Sequence, residues 1–332
     1  MRKYRPYLLL TTVLSFSLFS CSSSHNQEEV EREGSAYLSK VFDYSPAVGQ
    51  FVNVLPIYSE GDTSADMVRK AEEAIKGERP LSLVSLGGFG GSILFGFDHM
   101  VENRSGYCDF RVLGNAFSSK QPSAVSGSRG GSSEPGIIWV SYDANGNGLP
   151  DDAWYEIVGS EQGRSTANYE ITYHRPTAEA SVESNNPNIV NSQYIRWEDN
   201  QGNGGYKSKN KFNTQSYYPQ WIDQDALHFE GRLLPNNAEN RAEQGAESWF
   251  LTAFDYGYAD NAANSEPASA IDIDWAVDAQ GRAANLPGIH FVKVYTGVNQ
   301  EAGWTGEIST EVGGAYDLHF KGETIKSTPV NR

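Results

Sequence analysis

Residues 136–159, GIIWVSYDANGNGLPDDAWYEIVG, contain two apolar runs separated by a loop rich in Asp, Asn and Gly. The runs GIIWVSY and WYEIVG are rich in Ile, Val, Trp and Tyr, which favour strands. The polar residues between them favour a turn, because Asn, Asp and Gly tolerate turn conformations and bond to their own backbone. The segment therefore predicts two β-strands joined by a polar loop.

The same pattern recurs along most of the chain. Short runs rich in Val, Ile, Trp, Tyr and Phe are separated by Gly, Asn and Pro, and they are LSLVSL, SILFGF, CDFRVLG, YEITYH, QYIRWED, WFLTAFDYGY, IDIDWAV and IHFVKVY. Many short strands of this kind predict a β-sandwich or a jelly-roll-like fold. We expect residues 177–193, which lack the pattern, to form a surface loop.

One short helix is predicted near residues 64–76. Thr63 and Asp66 have the spacing of a capping box, and apolar residues follow at helical intervals. Gly77 and Pro80 then supply a stop. The predicted fold class is therefore mostly β, with a single helix.

The N-terminus predicts export. Arg2, Lys3 and Arg5 precede an apolar run that is too short to span a membrane and has the charge order of a secretory signal. The run ends in LFSC, which resembles the lipobox of bacterial lipoproteins, so Cys21 is the expected lipidated residue. An ordinary signal peptide with an incidental cysteine is the alternative.

The chain is predicted to have three parts: a signal peptide over residues 1–20, a disordered tether over 21–36 and a β-rich ligand-binding domain over 37–325. The tether carries an acidic cluster that resembles the export signals of surface lipoproteins, although acidic residues also solvate a linker. An outer-membrane lipoprotein at the cell surface is therefore expected. Whether the domain has subdomains, and its oligomeric state, stay open.

Charge limits the possible binding partners, and cysteine content limits the possible disulfide bonds. The chain has 42 acidic and 26 basic residues and a formal net charge of −16. Nucleic acid and anionic membrane surfaces are therefore unfavourable partners, because their phosphates would be repelled. Once Cys21 is lipidated only Cys108 remains, so no intrachain disulfide is expected.

The polar loop between GIIWVSY and WYEIVG has the ligand spacing of a calcium-binding loop. Oxygen donors recur at alternate positions, as a hard cation requires, although Trp154 stands where an EF-hand has its bidentate Glu. Asp152 or Glu156 would have to replace that carboxylate, and a self-capping polar turn is the alternative. The candidate calcium ligands are Asp143, Asn145, Asn147, Leu149 through its carbonyl, Asp151 and Asp152.

Other acidic groups are weaker candidates for a metal site or a catalytic site. WEDNQGNGGY places Asp199, Gln201 and Asn203 at alternate positions, but a hairpin loop is the simpler interpretation. A paired-carboxylate glycosidase site would need an acid and a nucleophile or base at a defined separation. Turn and loop-bracing roles are the simpler interpretation of the acids in the C-terminal half, which are Asp255, Asp260, Asp272, Asp274 and Asp278.

No catalytic motif emerges. SLGGFGGSILFGFDH lacks the Lys and Ser or Thr of a phosphate-binding loop, so its glycines are expected to let backbones approach closely. His99 has no Ser or Cys nucleophile in a recognisable context, and we expect it to be a buried, hydrogen-bonded residue. A non-enzymatic protein is predicted.

The stretch KFNTQSYYPQWIDQ offers a ligand-binding surface. Aromatic residues lie there among polar ones, which weakens the usual interpretation of aromatics as core, although core or loop-bracing roles stay open. Exposed rings beside amides suit a flat or ringed ligand. The candidate ligand-binding residues are Asn213, Gln215, Tyr217, Tyr218 and Trp221.

Several stretches together resemble a family of Bacteroidetes-type cell-surface lipoproteins. They cover most of residues 42 to 319 and are SPAVGQFVNVLP, SLGGFGGSILFGFDH, FRVLGNAF, EPGIIWVSYDANGNGLPDDAWYEIVGSE, QSYYPQWI, FDYGYADN, and HFVKVYTG through GEISTEVGG. Some members look like the cobamide-binding lipoproteins that accompany outer-membrane vitamin B12 transporters. This resemblance implies that the protein captures a corrinoid for such a transporter and does not catalyse a reaction. It does not identify the residues that contact the ligand. The alternative is a glycan-binding or glycan-cleaving surface lipoprotein.

Overall fold

A computed structural model describes residues 34–119, 129–177, 182, 184–242 and 247–328. The predicted signal peptide, Cys21 and most of the tether lie outside these residues. Strands account for 39% of the described residues and helices for 9%, which confirms the mostly β class. Within the described ranges no helix has the length and apolar character needed to cross a membrane.

The strands of the described residues are short and almost all antiparallel to their neighbours. They are β1 (Lys40–Ser45), β2 (Val84–Ser85), β3 (Ser92–Glu102), β4 (Phe110–Leu113), β5 (Phe117–Ser118), β6 (Gly130–Ser132), β7 (Gly136–Ser141), β8 (Trp154–Ile157), β9 (Thr166–His174), β10 (Ile189–Asp199), β11 (Gly204–Asn210), β12 (Ala226–Leu233), β13 (Ala238–Asn240), β14 (Trp249–Thr252), β15 (Tyr258–Ala259), β16 (Ala270–Ile271), β17 (Ala276–Val277), β18 (Gly288–Thr296), β19 (Glu311–Val312) and β20 (Gly314–Asp317). Single-turn 3-10 helices lie at Gln162–Arg164, Pro267–Ser269, Ile273–Trp275 and Gly303–Thr305.

The largest sheet has seven strands in the order β1-β3-β18-β7-β8-β17, with β15 paired to β7 outside that path. Two four-stranded sheets have the orders β11-β10-β9-β12 and β13-β14-β6-β5. Smaller sheets are β16-β4-β20 and β19-β2. Several packed antiparallel sheets are consistent with the predicted sandwich-like arrangement.

The opening segment supplies adjacent strands of the large sheet, as predicted. β7 and β8 pair antiparallel, with Trp139 opposite Glu156, and the polar loop joins them. Alternate β7 residues enter different cores. Ile138 packs in one apolar cluster, here called the first apolar cluster, and Ile137 packs in another, here called the second apolar cluster. Because both faces of β7 are covered, its sequence is almost continuously apolar.

The helix α1 spans Ser64–Ile75 and confirms the predicted element. The Thr63 side chain accepts from the backbone N–H of Asp66, and the Asp66 carboxylate accepts from the backbone N–H of Thr63, which completes the capping box. Met67 and Ile75 are fully buried against the first apolar cluster. The helix is thus held by packing of one face and by its N-terminal cap.

Close backbone approach explains the glycines of SLGGFGG. A Cβ on Gly91 would lie 1.8 Å from the carbonyl oxygen of Leu86 and 2.4 Å from the backbone nitrogen of Ala47. Gly87 has a φ of +71°, in the left-handed region that favours glycine. The predicted packing role is confirmed, because no side chain fits at Gly91.

Four predicted elements differ in the structure. WFLTAFDYGY is not one strand, because it contains β14 and the start of β15, which pair in different sheets. IDIDWAV is not one strand, because a 3-10 turn at Ile273–Trp275 separates β16 from β17. The Asp272 side chain caps that turn by accepting from the N–H of Asp274, so the alternating spacing of these two residues does not place them on one strand face. Residues 177–193 are not all loop, since β10 begins at Ile189. In LSLVSL, pairing is limited to Val84–Ser85.

Candidate functional site

The loop between β11 and β12 holds every predicted ligand-binding residue. Tyr217 and Tyr218 are each only 1% exposed and belong to the second apolar cluster. The Tyr217 hydroxyl accepts from the backbone N–H of Asn210, and the Tyr218 hydroxyl donates to the carbonyl oxygen of Gln224. The expectation that these two rings face solvent is therefore wrong: they form the core beneath the loop.

Trp221 is partly buried, and its ring is already engaged. It lies nearly parallel to the rings of Tyr44 and Tyr58, with centroids 5.9 and 6.0 Å away. Its packing against the first apolar cluster ties the loop to the body of the domain. Trp221 is thus a bracing residue rather than an open platform.

The amides of Asn213 and Gln215 also brace the loop. Asn213 Nδ2 donates to Gln50 Oε1 at 2.9 Å, and Gln215 Nε2 donates to the backbone carbonyl of Gln50. Asn53 donates to the carbonyl oxygens of Ser216 and Tyr218, at 2.7 and 3.0 Å. The polar neighbours of the tyrosines are explained by these long-range bonds to the segment after β1.

An exposed aromatic surface lies at the start of this loop. Phe212 is 56% exposed, and its ring centroid is 5.4 Å from that of Trp304. The Glu247 carboxylate accepts from the backbone N–H of Trp304 and from Trp249 Nε1, at 3.1 and 3.2 Å. We call Phe212, Trp249 and Trp304 the aromatic patch. Phe212 is within the stretch singled out from the sequence, but nothing in the sequence joins it to Trp304.

A cleft of about 310 Å³ adjoins the aromatic patch. Lys211 connects the two, because it lines the cleft and its Nζ lies 5.2 Å from the centroid of the Phe212 ring. Lys209 Nζ lies 4.7 Å from the centroid of Tyr194, which packs edge-on against buried Tyr217. We call this the lysine cleft, and it is lined by Val190, Asn191, Tyr194, Lys209, Asn210, Lys211 and Thr214.

The predicted calcium loop is an exposed turn that bonds extensively to itself. The Asp143 carboxylate accepts from the backbone N–H groups of Gly146, Asn147 and Gly148, at 2.8, 3.1 and 2.9 Å. These bonds, that from Gly148 first, lower the pKa of Asp143. Asp143 is thereby fixed as an anion at the start of the loop, as both a calcium ligand and a turn cap would be.

The rest of the loop also follows this self-bonded pattern. The amide groups of Asn145 and Asn147 donate to the Asp151 carboxylate at 3.2 and 3.0 Å, and Asn147 Oδ1 accepts from the N–H of Leu149. Asp152 accepts from the N–H of Ala144 at 3.1 Å. A calcium ion would have to replace the two amide contacts with oxygen ligation, which requires both amides to turn.

Glu156 is not positioned as a calcium ligand of this loop. Its carboxylate pairs with the Arg232 guanidinium at 2.6 Å, and both side chains are largely buried. The expectation that Glu156 replaces the missing carboxylate is therefore wrong, which leaves Asp152 for that role. A site with this few charges belongs among the weak extracellular calcium sites.

We expect calcium at 1 mM to raise the melting temperature by several degrees if the loop binds it. For a Kd of about 100 μM the added stability is about 1.4 kcal/mol, measurable by differential scanning fluorimetry with and without chelator. Asp143→Ala should abolish the shift, whereas Asp199→Ala should keep it, because Asp199 caps the β10–β11 turn in a similar way. Equal melting in calcium and in chelator would exclude the site.

Three carboxylates, two of them buried and one partly buried, converge elsewhere. Glu134, Asp260 and Glu311 each bring one ligand oxygen within 4.8 Å of the others, which no other three acidic, His or Cys side chains do among the described residues. Asp260 accepts from the N–H groups of Asn115 and Ala116, both at 2.8 Å, and from that of Glu311 at 2.9 Å. Burial, with the Glu311 charge next, raises the pKa of Asp260 to about 8. We call these three residues the carboxylate cluster.

The remaining acids of the C-terminal half have separate positions. Asp278 accepts from the N–H groups of Gln280 and Arg282, which confirms the predicted turn. Asp274 accepts from Asn103 Nδ2 at 3.0 Å. Asp255 pairs with Arg129 at 3.0 Å and lines an open cleft of about 400 Å³. These acids do not form one site.

His99 is largely buried and hydrogen-bonded, as expected. Its Nδ1 lies 2.9 Å from the Asp98 carboxylate and its Nε2 lies 3.1 Å from the Asp317 carboxylate. Desolvation opposes its charge, but the two carboxylate bonds prevail and the pKa of His99 is raised. It ties β3 to the end of β20 and has no nucleophile among these partners.

Comparison with known proteins adds no identification. A scan against protein-family models finds no match, and a search of curated proteins finds no significant match either. The aromatic patch and the lysine cleft are therefore interpreted from their own chemistry.

Proposed function

We propose that the chain is a non-enzymatic outer-membrane lipoprotein that binds a corrinoid at the cell surface for delivery to an outer-membrane transporter. The observation that carries the proposal is the position of the lysine cleft beside the aromatic patch. One region thus offers flat rings and an exposed positive charge beside a cleft lined by buried amides. The resemblance noted in the sequence adds the corrinoid class.

The chemistry of a corrinoid matches this combination. The macrocycle is broad, has apolar edges and carries amide side chains, and a complete cobamide also carries a phosphodiester. Phe212 and Trp304 supply rigid apolar surface, and Asn191 and Asn210 line the cleft with amides. A cleft of about 310 Å³ is too small for the whole ligand, so one arm would enter it and the macrocycle would lie on the aromatic patch.

Binding without catalysis is the simplest use of the lysine cleft. The described residues that line it include no carboxylate, histidine or cysteine. Hydrolysis of a glycoside needs a pair of carboxyl groups, and general acid–base chemistry needs a group that titrates near neutral pH. The cleft therefore favours capture.

The test is retention of cyanocobalamin by the purified protein. We expect the red ligand to elute with the protein in gel filtration after equilibration at micromolar concentration. Phe212→Ala should reduce the retained ligand, while Phe117→Ala should not, because Phe117 is 58% exposed but lies on β5. Elution of all ligand in the small-molecule volume would reject the proposal.

The lipid anchor has its own test. Cys21→Ser should release the protein from the membrane fraction, because acyl chains at that residue would supply the hydrophobic attachment. Protease added to intact cells should degrade the membrane-bound wild type if the domain faces outward. Full protection of the wild type would reject surface exposure and leave the anchor itself untouched.

A glycan is the second candidate ligand, and it is favoured by the other cleft. Glu161, Glu239 and Asp255 line the cleft of about 400 Å³, together with Arg164. Several carboxylates around an open polar cleft suit hydrogen bonding to hydroxyl groups, and paired acids are the groups that cleave glycosides. A glycan panel measured on the same preparation distinguishes the two functions.

A further inference from the structure

We infer that Lys211 binds an anionic oxygen group, here the phosphodiester of a complete cobamide, and so makes the site select ligands that carry this group. The inference rests on the proposed function and adds a specificity-determining residue to it. It concerns the lysine cleft, whose lysines supply the positive charge beside the aromatic patch.

The position of Lys211 is fixed by its backbone. Its N–H donates to the carbonyl oxygen of Asn188 at 2.9 Å, just beyond the end of β11. The side chain is exposed, and its Nζ lies 5.2 Å from the Phe212 centroid. The described residues provide no carboxylate partner for this ammonium. Lys211 thus presents a charge at the boundary between cleft and patch.

The electrostatic setting makes this charge selective. The chain carries a formal net charge of −16, and an anion is repelled from most of its surface. No acidic residue is among the described residues that line the lysine cleft, whereas Glu161, Glu239 and Asp255 line the larger cleft. The phosphodiester of a cobamide is therefore favoured at the lysine cleft and disfavoured at the other.

A packing role for Lys211 gives a different expectation. Lysine stems cover apolar surface, and an ammonium over an aromatic ring is attracted to it without any ligand. In that case Lys211 would order Phe212 and would affect every ligand of the patch equally. Selectivity between ligands with and without the phosphodiester separates the two roles.

The experiment compares cyanocobalamin with dicyanocobinamide, which has the corrin ring but lacks the phosphodiester and the nucleotide. We expect the wild type to bind cyanocobalamin at least about fivefold more tightly by calorimetry at low salt, as a charge-assisted contact would give. Lys211→Met should lose most of that ratio, and Lys211→Arg should retain it. Lys40→Met is the matched control, because Lys40 is exposed and its Nζ lies 4.5 Å from the Phe42 centroid.

The outcomes separate the inference from the proposed function. Equal binding of both ligands by the wild type, or equal weakening of both by Lys211→Met, would overturn the role of Lys211 while leaving corrinoid capture in place. An unchanged ratio in Lys211→Met would also overturn it. Absence of binding to either ligand would instead reject the proposed function on which the inference rests.

Discussion

Trp304→Ala is expected to weaken cyanocobalamin binding about 100-fold, which corresponds to about 2.8 kcal/mol. Trp304 is partly exposed, packs on Phe212 and has its backbone fixed by Glu247, so it can present a rigid surface with little loss of entropy. Large aromatic anchors of this kind dominate binding energies. Titration calorimetry of wild type and variant gives the two affinities.

The control is a tryptophan whose ring packs internally. Trp221→Phe keeps an aromatic ring near Tyr44 and Tyr58 and should leave affinity within about threefold of wild type, since Trp221 braces the loop. Circular dichroism should show both variants folded. Full affinity in folded Trp304→Ala would remove the aromatic patch from the site.

Glu311→Gln is expected to stabilise the protein at pH 8 and to change its stability little at pH 5, because the amide carries no charge that has to stay buried when the carboxylates ionise. Burial raises the pKa values of both Asp260, to about 8, and Glu311. A raised carboxyl pKa means that the folded state holds protons that the unfolded state releases. The free energy of unfolding of the wild type should therefore fall as pH rises from about 4 to about 8.

The amide introduced by Glu311→Gln keeps an oxygen for the Ser309 hydroxyl and adds a donor toward the other two carboxylates. Chemical denaturation at several pH values measures the effect, and Glu60→Gln, at an exposed position, is the matched control. Wild-type stability that does not fall between pH 4 and pH 8 in chelator would contradict the raised pKa values of the carboxylate cluster.

Local signals in the sequence predicted the elements that local chemistry determines. The capping box of Thr63 and Asp66 defined the helix start, and the apolar runs on either side of the Asn-rich loop defined β7 and β8. The glycines of SLGGFGG were correctly attributed to close packing. The helix cap and the β7–β8 hairpin depend on residues that are close in the sequence, whereas the glycines pack against distant segments such as Ala47.

Features that depend on distant residues were not predictable. Tyr217 and Tyr218 lie among polar residues, but those residues bond to Gln50 and Asn53, more than 150 positions earlier, and the rings turn inward. The aromatic patch likewise joins Phe212 to Trp304. The carboxylate cluster assembles from three separate segments. The spacing of residues in the sequence does not predict such contacts between distant segments.

The most direct test of corrinoid capture is calorimetric titration of the purified protein with cyanocobalamin, run beside a panel of soluble polysaccharides. Corrinoid capture predicts saturable one-site heat with cyanocobalamin at micromolar affinity or tighter, and none with the polysaccharides. No heat with cyanocobalamin, together with saturable binding of a polysaccharide, would contradict it and assign the protein to glycan recognition.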